Sequence, residues 1–96
     1  MEEKYFPGKG WEKRNKIIIN DVLNDKRTGF PFFCSHVIPY DKFEYLYFSS
    51  FDFNSVVFCV QINQGGINYL KVLDNGPEQD FAFRLFENKY GEEMYE

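Results

Sequence analysis

The triplet Cys34-Ser35-His36 is the one place in this 96-residue chain where nucleophilic side chains stand beside a histidine, because His36 is the sole histidine. A thiol or hydroxyl whose proton an imidazole can take is the nucleophile of acyl-transfer chemistry. On an extended strand, residues two apart share a face, so Cys34 and His36 fall within reach of one another. No glycine-rich elbow or oxyanion-hole signature accompanies them. A lone histidine beside an apolar strand serves packing more often than catalysis, and the chain reads as non-enzymatic.

Other chemistries have less to work with. A closed zinc site takes four ligands at short spacings, whereas Cys34 and Cys59 stand 25 residues apart with one histidine to share. The two cysteines read as reduced core thiols. Glu92-Glu93 is a carboxylate pair in a polar tail, without the apolar surroundings that raise a carboxyl pKa. Gly8-Lys9-Gly10 and Gly65-Gly66 lack the strand, loop and helix context in which backbone amides cradle phosphate. No metal or cofactor is expected.

What the chain has in surplus is rings: 12 Phe, 7 Tyr and 1 Trp against a single alanine. Rings on a sheet stack single-stranded nucleic acid when a positive groove holds the phosphates, and Tyr45, Tyr47, Phe58 and Tyr69 are the candidates. The charge opposes that use. Net charge is −4; residues 1–40 hold seven Lys/Arg against five Asp/Glu, while residues 41–96 hold four against ten. The basic cluster Lys9, Lys13, Arg14 and Lys16 could supply one patch for phosphates, so nucleic-acid binding is the alternative reading.

Protein recognition asks for less. Interface cores are enriched in aromatic residues, and an acidic rim suits a basic partner surface. The segment Phe48-Ser49-Ser50-Phe51-Asp52-Phe53 is the stretch expected to protrude, unless Phe51 and Phe53 fold back as core plugs. The partner-binding candidates are Tyr45, Tyr47, Phe48, Phe51, Asp52, Phe53, Glu78 and Asp80.

Several elements must position these residues. Residues 1–10 read as a flexible N-terminal arm, residues 11–90 as one α+β domain and residues 91–96 as an acidic tail. Trp11, Ile18, Ile19, Val22 and Leu23 recur at helical spacing, which predicts a helix over about residues 12–26. After Gly29 the vocabulary turns to alternating Phe, Tyr and Val, the strand signal. Residues 32–38 between Pro31 and Pro39 form a short strand, 43–48 another, and SVVFCVQI-NQGG-INYLKVLD a hairpin. The alternation of Phe81, Phe83 and Leu85 favours a further strand, although Gly76-Pro77 followed by Glu78 and Asp80 resembles a helix start. The expected architecture is α+β: one N-terminal helix on an antiparallel four- to five-stranded meander, in two layers.

No secretory pattern follows Met1, and no apolar run reaches membrane-spanning length, so the expectation is a cytoplasmic protein without membrane contact. Residues of AT-rich codons number 43 (Phe, Tyr, Met, Ile, Asn, Lys), against 15 for Gly, Ala, Arg and Pro. The functional expectation is a small acidic protein-binding module that inhibits or redirects a partner with a basic, nucleic-acid-handling surface. A phage or mobile-element antagonist, or a toxin immunity protein, fits that description. An exposed strand edge would also permit a homodimer.

Overall fold

The structure, a computed structural model, describes residues 4–73 and 76–95. Its most local determinant is the Gly65-Gly66 turn, where both residues hold positive φ, 59° and 84°. Glycine alone adopts that pair of conformations without strain, and the matching twist closes a two-residue hairpin between β5 (Val56–Gln64) and β6 (Ile67–Val72). A second tight turn, with Asp41 at φ 57°, joins β3 (Pro31–Tyr40) to β4 (Phe43–Ser50). Pro39 is tolerated in β3 because it faces Glu44 at a position where a backbone N–H would point away from β4 and past the end of the short strand on the other side of β3, so no ladder bond is lost.

Two short strands complete the sheet. β1 (Glu12–Lys13) pairs with β6, and β2 (Val22–Asn24) pairs with β3. The result is a six-stranded antiparallel sheet in the order β1-β6-β5-β4-β3-β2, curled into a half-barrel. One helix, α1 (Pro77–Tyr95), follows β6 and lies on one face.

The predicted N-terminal helix is overturned. Residues 12–26 form β1, β2, the irregular segment between them and the start of the turn that follows. Three consecutive β-branched residues, Ile17-Ile18-Ile19, disfavour a helix, and Asn20 at φ 79° forbids its continuation. The apolar stripe also fails as a buried face. Ile18, Ile19 and Val22 are exposed, whereas Ile17, outside the stripe, is buried.

The expected C-terminal strand is equally overturned, since residues 78–90 lie within α1. Pro77 starts the helix, Asp80 N donates to Gly76 O at 3.0 Å, and Glu78 and Asp80 complement the positive end of its dipole. The governing spacing is Ala82, Phe86 and Tyr90, one stripe at intervals of four, rather than the alternation of Phe81, Phe83 and Leu85. Residues 1–3 of the arm, Asp74, Asn75 and Glu96, and the side chains of the Glu92-Glu93 pair, lie outside the described residues.

Each sheet face has its own core. Under α1, Ile38, Phe58, Val60 and Leu73 pack with Ala82 and Phe86, flanked by Tyr45 and Tyr47. On the other face, Cys34, Leu46, Phe48, Cys59 and Leu70 pack against Phe6, Ile17 and Leu23 of the N-terminal segment. Burying side chains of this size stabilises the fold by about 2–3 kcal/mol each. Within the arm, Phe6 packs into this core: it makes edge contacts with Phe32 at 5.7 Å and Phe48 at 5.1 Å, and Lys4 and residues 8–10 stay exposed.

Candidate docking surface

The loop from β4 to β5 is built by two side chains. Ser50 Oγ donates to Asp52 Oδ1 at 2.6 Å and accepts from Ser55 N at 3.0 Å, while Asn54 N donates to the same carboxylate oxygen at 3.0 Å. Phe53 N donates to Ser50 O and Ser50 N to Ser55 O, closing the loop on itself. Those bonds, the Ser50 hydroxyl first, hold the Asp52 carboxyl below the ordinary carboxylate range. The carboxylate is exposed and ionised at neutral pH.

The same loop holds Phe53 at φ 61°, a left-handed conformation that a bulky side chain rarely adopts. Its ring is 74% exposed and that of Phe51 57%. Both lie against Phe33 of β3, with ring centroids 5.2 Å from Phe51 and 6.0 Å from Phe53. Strand register extends the surface. Val22, Phe33, Ser49 and Val56 are successive cross-strand partners across β2, β3, β4 and β5, so they share a face. Val22 and Val56 are exposed. Phe51, Phe53, Val22 and Val56 together present roughly 400 Å² of largely apolar surface, the size that marks contact sites.

The other sequence candidates lie elsewhere. Phe48 is wholly buried and has no surface to offer. Tyr45 and Tyr47 are half-buried beneath α1, against Phe81 and Phe86. Burial, with Glu78 nearby, pushes the Tyr45 hydroxyl up. Glu78 and Asp80 sit on the first turn of α1, where Glu78 pairs with Lys71 at 3.0 Å. Tyr45 is six residues of β4 from Phe51, about 20 Å along the strand, so these acids do not rim the phenylalanine patch. Phe33 was missed. Its signal was the Phe32-Phe33 doublet, which strand alternation must split between the two faces.

The stacking platform is likewise covered. Phe86 of α1 sits 5.3 Å from Tyr47 and 5.7 Å from Phe58, leaving Tyr69 as the ring of the four that α1 does not cover. Cys34 and His36 are separated by a β-bulge, a register shift at Ser35. Cys34 therefore enters the N-terminal core, while His36 turns to Tyr47, Phe86 and Tyr90 under the helix. Ser35 Oγ lies 2.9 Å from His36 Nδ1 and 3.2 Å from the Tyr47 carbonyl. Since a carbonyl only accepts, a hydroxyl proton directed there leaves Nδ1 as donor to Oγ, an orientation in which Nδ1 cannot take the Ser35 proton. Both cysteines are free and buried. Burial first, then Asp21, pushes the Cys34 thiol up to about 12, and burial raises Cys59 well above its ordinary value.

No family model, curated protein or solved structure matches this chain. The site is therefore read from its own geometry. A preshaped apolar knob with an ionised carboxylate between its two outer rings suits insertion into an apolar cleft with a cationic lip. Among the described residues, no helix is long and apolar enough to cross a membrane.

Proposed function

We propose that this chain is a protein-binding module whose partner docks on the Phe51-Asp52-Phe53 loop and the adjoining Phe33, Val22 and Val56. One observation carries the reading: an exposed phenylalanine held in a left-handed conformation by a loop of five hydrogen bonds. Backbone strain of this kind persists where the surroundings over-determine it, and such strain concentrates at binding and catalytic sites. Here the strained residue itself carries a ring that is mostly exposed, which favours presentation of that ring.

The partner has a cleft for two rings and a lysine or arginine facing Asp52. The Asp52 carboxylate is braced by the loop and exposed, and it is the anion that faces that cation. The excess of acids in residues 41–96 favours a basic partner, and nucleic-acid-handling proteins carry such surfaces. Occupying that surface would inhibit or redirect the partner, as a mobile-element antagonist or immunity protein does.

The test is affinity capture with wild type beside a Phe51→Ser/Phe53→Ser double variant. A protein retained by the wild type and weakened by about 100-fold or more in the double variant supports the reading, since buried aromatic anchors of this size carry at least about 2 kcal/mol each. Equal retention by both would place the interface elsewhere.

A further inference from the structure

At the opposite end of β4 the sheet carries a second aromatic site, independent of the docking loop. Lys13, Tyr69, Ile62 and Phe43 are successive cross-strand partners across β1, β6, β5 and β4, so they form one row on the helix side of the sheet. The row beside it, Lys71, Val60 and Tyr45, is the one that α1 approaches, through Glu78 on Lys71 and Phe81 on Tyr45. Among the described residues, no ring contact or ion pair joins the outer row to α1. Trp11, just before β1, lies over it with its indole 17° from parallel to the Phe43 ring and the centroids 6.3 Å apart. Trp11, Phe43, Tyr69 and Ile62, with Lys42 and Gln64, line a recess of about 300 Å³.

Three features of this recess point the same way. Its walls and floor are flat and apolar, and Trp11 keeps 43% of its surface exposed, so a planar ring can stack there. Its rim is cationic in an acidic protein. Lys42 Nζ stands 5.8 Å from the Phe43 ring centroid and Lys71 Nζ 5.7 Å from that of Trp11, with Lys13 beside Tyr69. Lys71 is already paired with Glu78, whereas Lys42 makes no ion pair among the described residues and can meet an incoming anion. The Gln64 amide adds one donor and one acceptor at the edge of the space, the pair that a heterocycle's edge requires.

We infer that the Trp11–Phe43–Tyr69 recess binds a nucleotide, its base stacked on the rings and its phosphate at Lys42. The nucleotide is either free or one residue of a single strand. The volume admits one base rather than a stacked run, and the local lysines supply what the protein's overall charge does not.

Trp11 is the chain's only tryptophan, so its emission reports on the recess directly. The full chain is titrated with AMP, adenosine, ribose 5-phosphate and a single-stranded hexa-adenylate, correcting for absorption. AMP should quench saturably, adenosine more weakly and ribose 5-phosphate not at all. Lys42→Gln, in an exposed turn, should weaken AMP by about threefold or more and leave adenosine unchanged. Hexa-adenylate matching AMP assigns a mononucleotide site, and hexa-adenylate binding tighter assigns a strand. The inference is overturned if AMP gives no saturable quenching up to about 10 mM. It is equally overturned if ribose 5-phosphate matches AMP, or if Lys42→Gln binds AMP as wild type does.

Discussion

Gln61 engages both backbone polar groups of Ile17: Oε1 accepts from Ile17 N and Nε2 donates to Ile17 O, each at 2.9 Å. One side chain thereby does what a neighbouring strand would do, pinning the irregular segment between β1 and β2 across the sheet. Gln61 is almost fully buried, and its remaining capacity is met by Asn68 Nδ2 at 3.1 Å and Glu44 Oε1 at 3.0 Å. Replacing it by leucine leaves the Ile17 groups and the Asn68 amide unpaired. Gln61→Leu should lower stability by about 2–4 kcal/mol in urea unfolding, and a loss below about 0.5 kcal/mol would contradict the clamp.

Phe53 separates stability from binding. Glycine adopts φ 61° freely, so Phe53→Gly should leave stability unchanged or raise it by up to about 1 kcal/mol, while partner binding is lost. Thermal unfolding and the binding assay on the same variant check both halves. A marked loss of stability would mean that the ring serves the fold.

The helix is attached through rings. Phe86 is buried between Tyr47, Phe58 and Tyr90, so Phe86→Ala should destabilise by about 3–5 kcal/mol. Circular dichroism during denaturation reads this as an earlier loss of helix signal, and an unchanged midpoint would place α1 off the sheet.

The thiols set an alkaline limit. Both cysteines have folded-state pKa values above the ordinary 9, with Cys34 at about 12. The folded protein then holds protons that the unfolded chain releases, so this contribution is full below about pH 9 and declines as pH rises towards 12. Stability should fall over that window, and Cys34→Ala should flatten the decline. Iodoacetamide should label neither thiol in the folded protein at pH 8 and both in urea; rapid labelling of the folded protein would contradict their burial.

What could be read from the residues, and what could not, follows from the range of the forces involved. The β5–β6 hairpin was legible because Gly65-Gly66 fixes its turn locally, and the β4 strand because Phe43, Tyr45, Leu46, Tyr47 and Phe48 are strand-favouring residues in one short run. The segment 12–26 was not legible, because its conformation depends on Gln61, 44 residues from Ile17. In α1, Ala82 is a small residue whose value lies in letting the helix approach the sheet, and it was outweighed by the conspicuous Phe81-x-Phe83-x-Leu85 alternation. Phe51, Asp52 and Phe53 were singled out from composition. Phe33 joins them only through the β3–β4 register, and the bulge at Ser35, which parts Cys34 from His36, has no sequence signature.

Site-specific photocrosslinking tests the docking surface most directly. A benzoylphenylalanine is placed at position 53 in one sample and at position 83, an exposed ring on α1, in another. In lysate of the source cell, position 53 should crosslink one protein species that position 83 does not. Crosslinking of that species at 83 alone, equally at both positions, or at neither while the protein is still retained, would contradict the proposed interface.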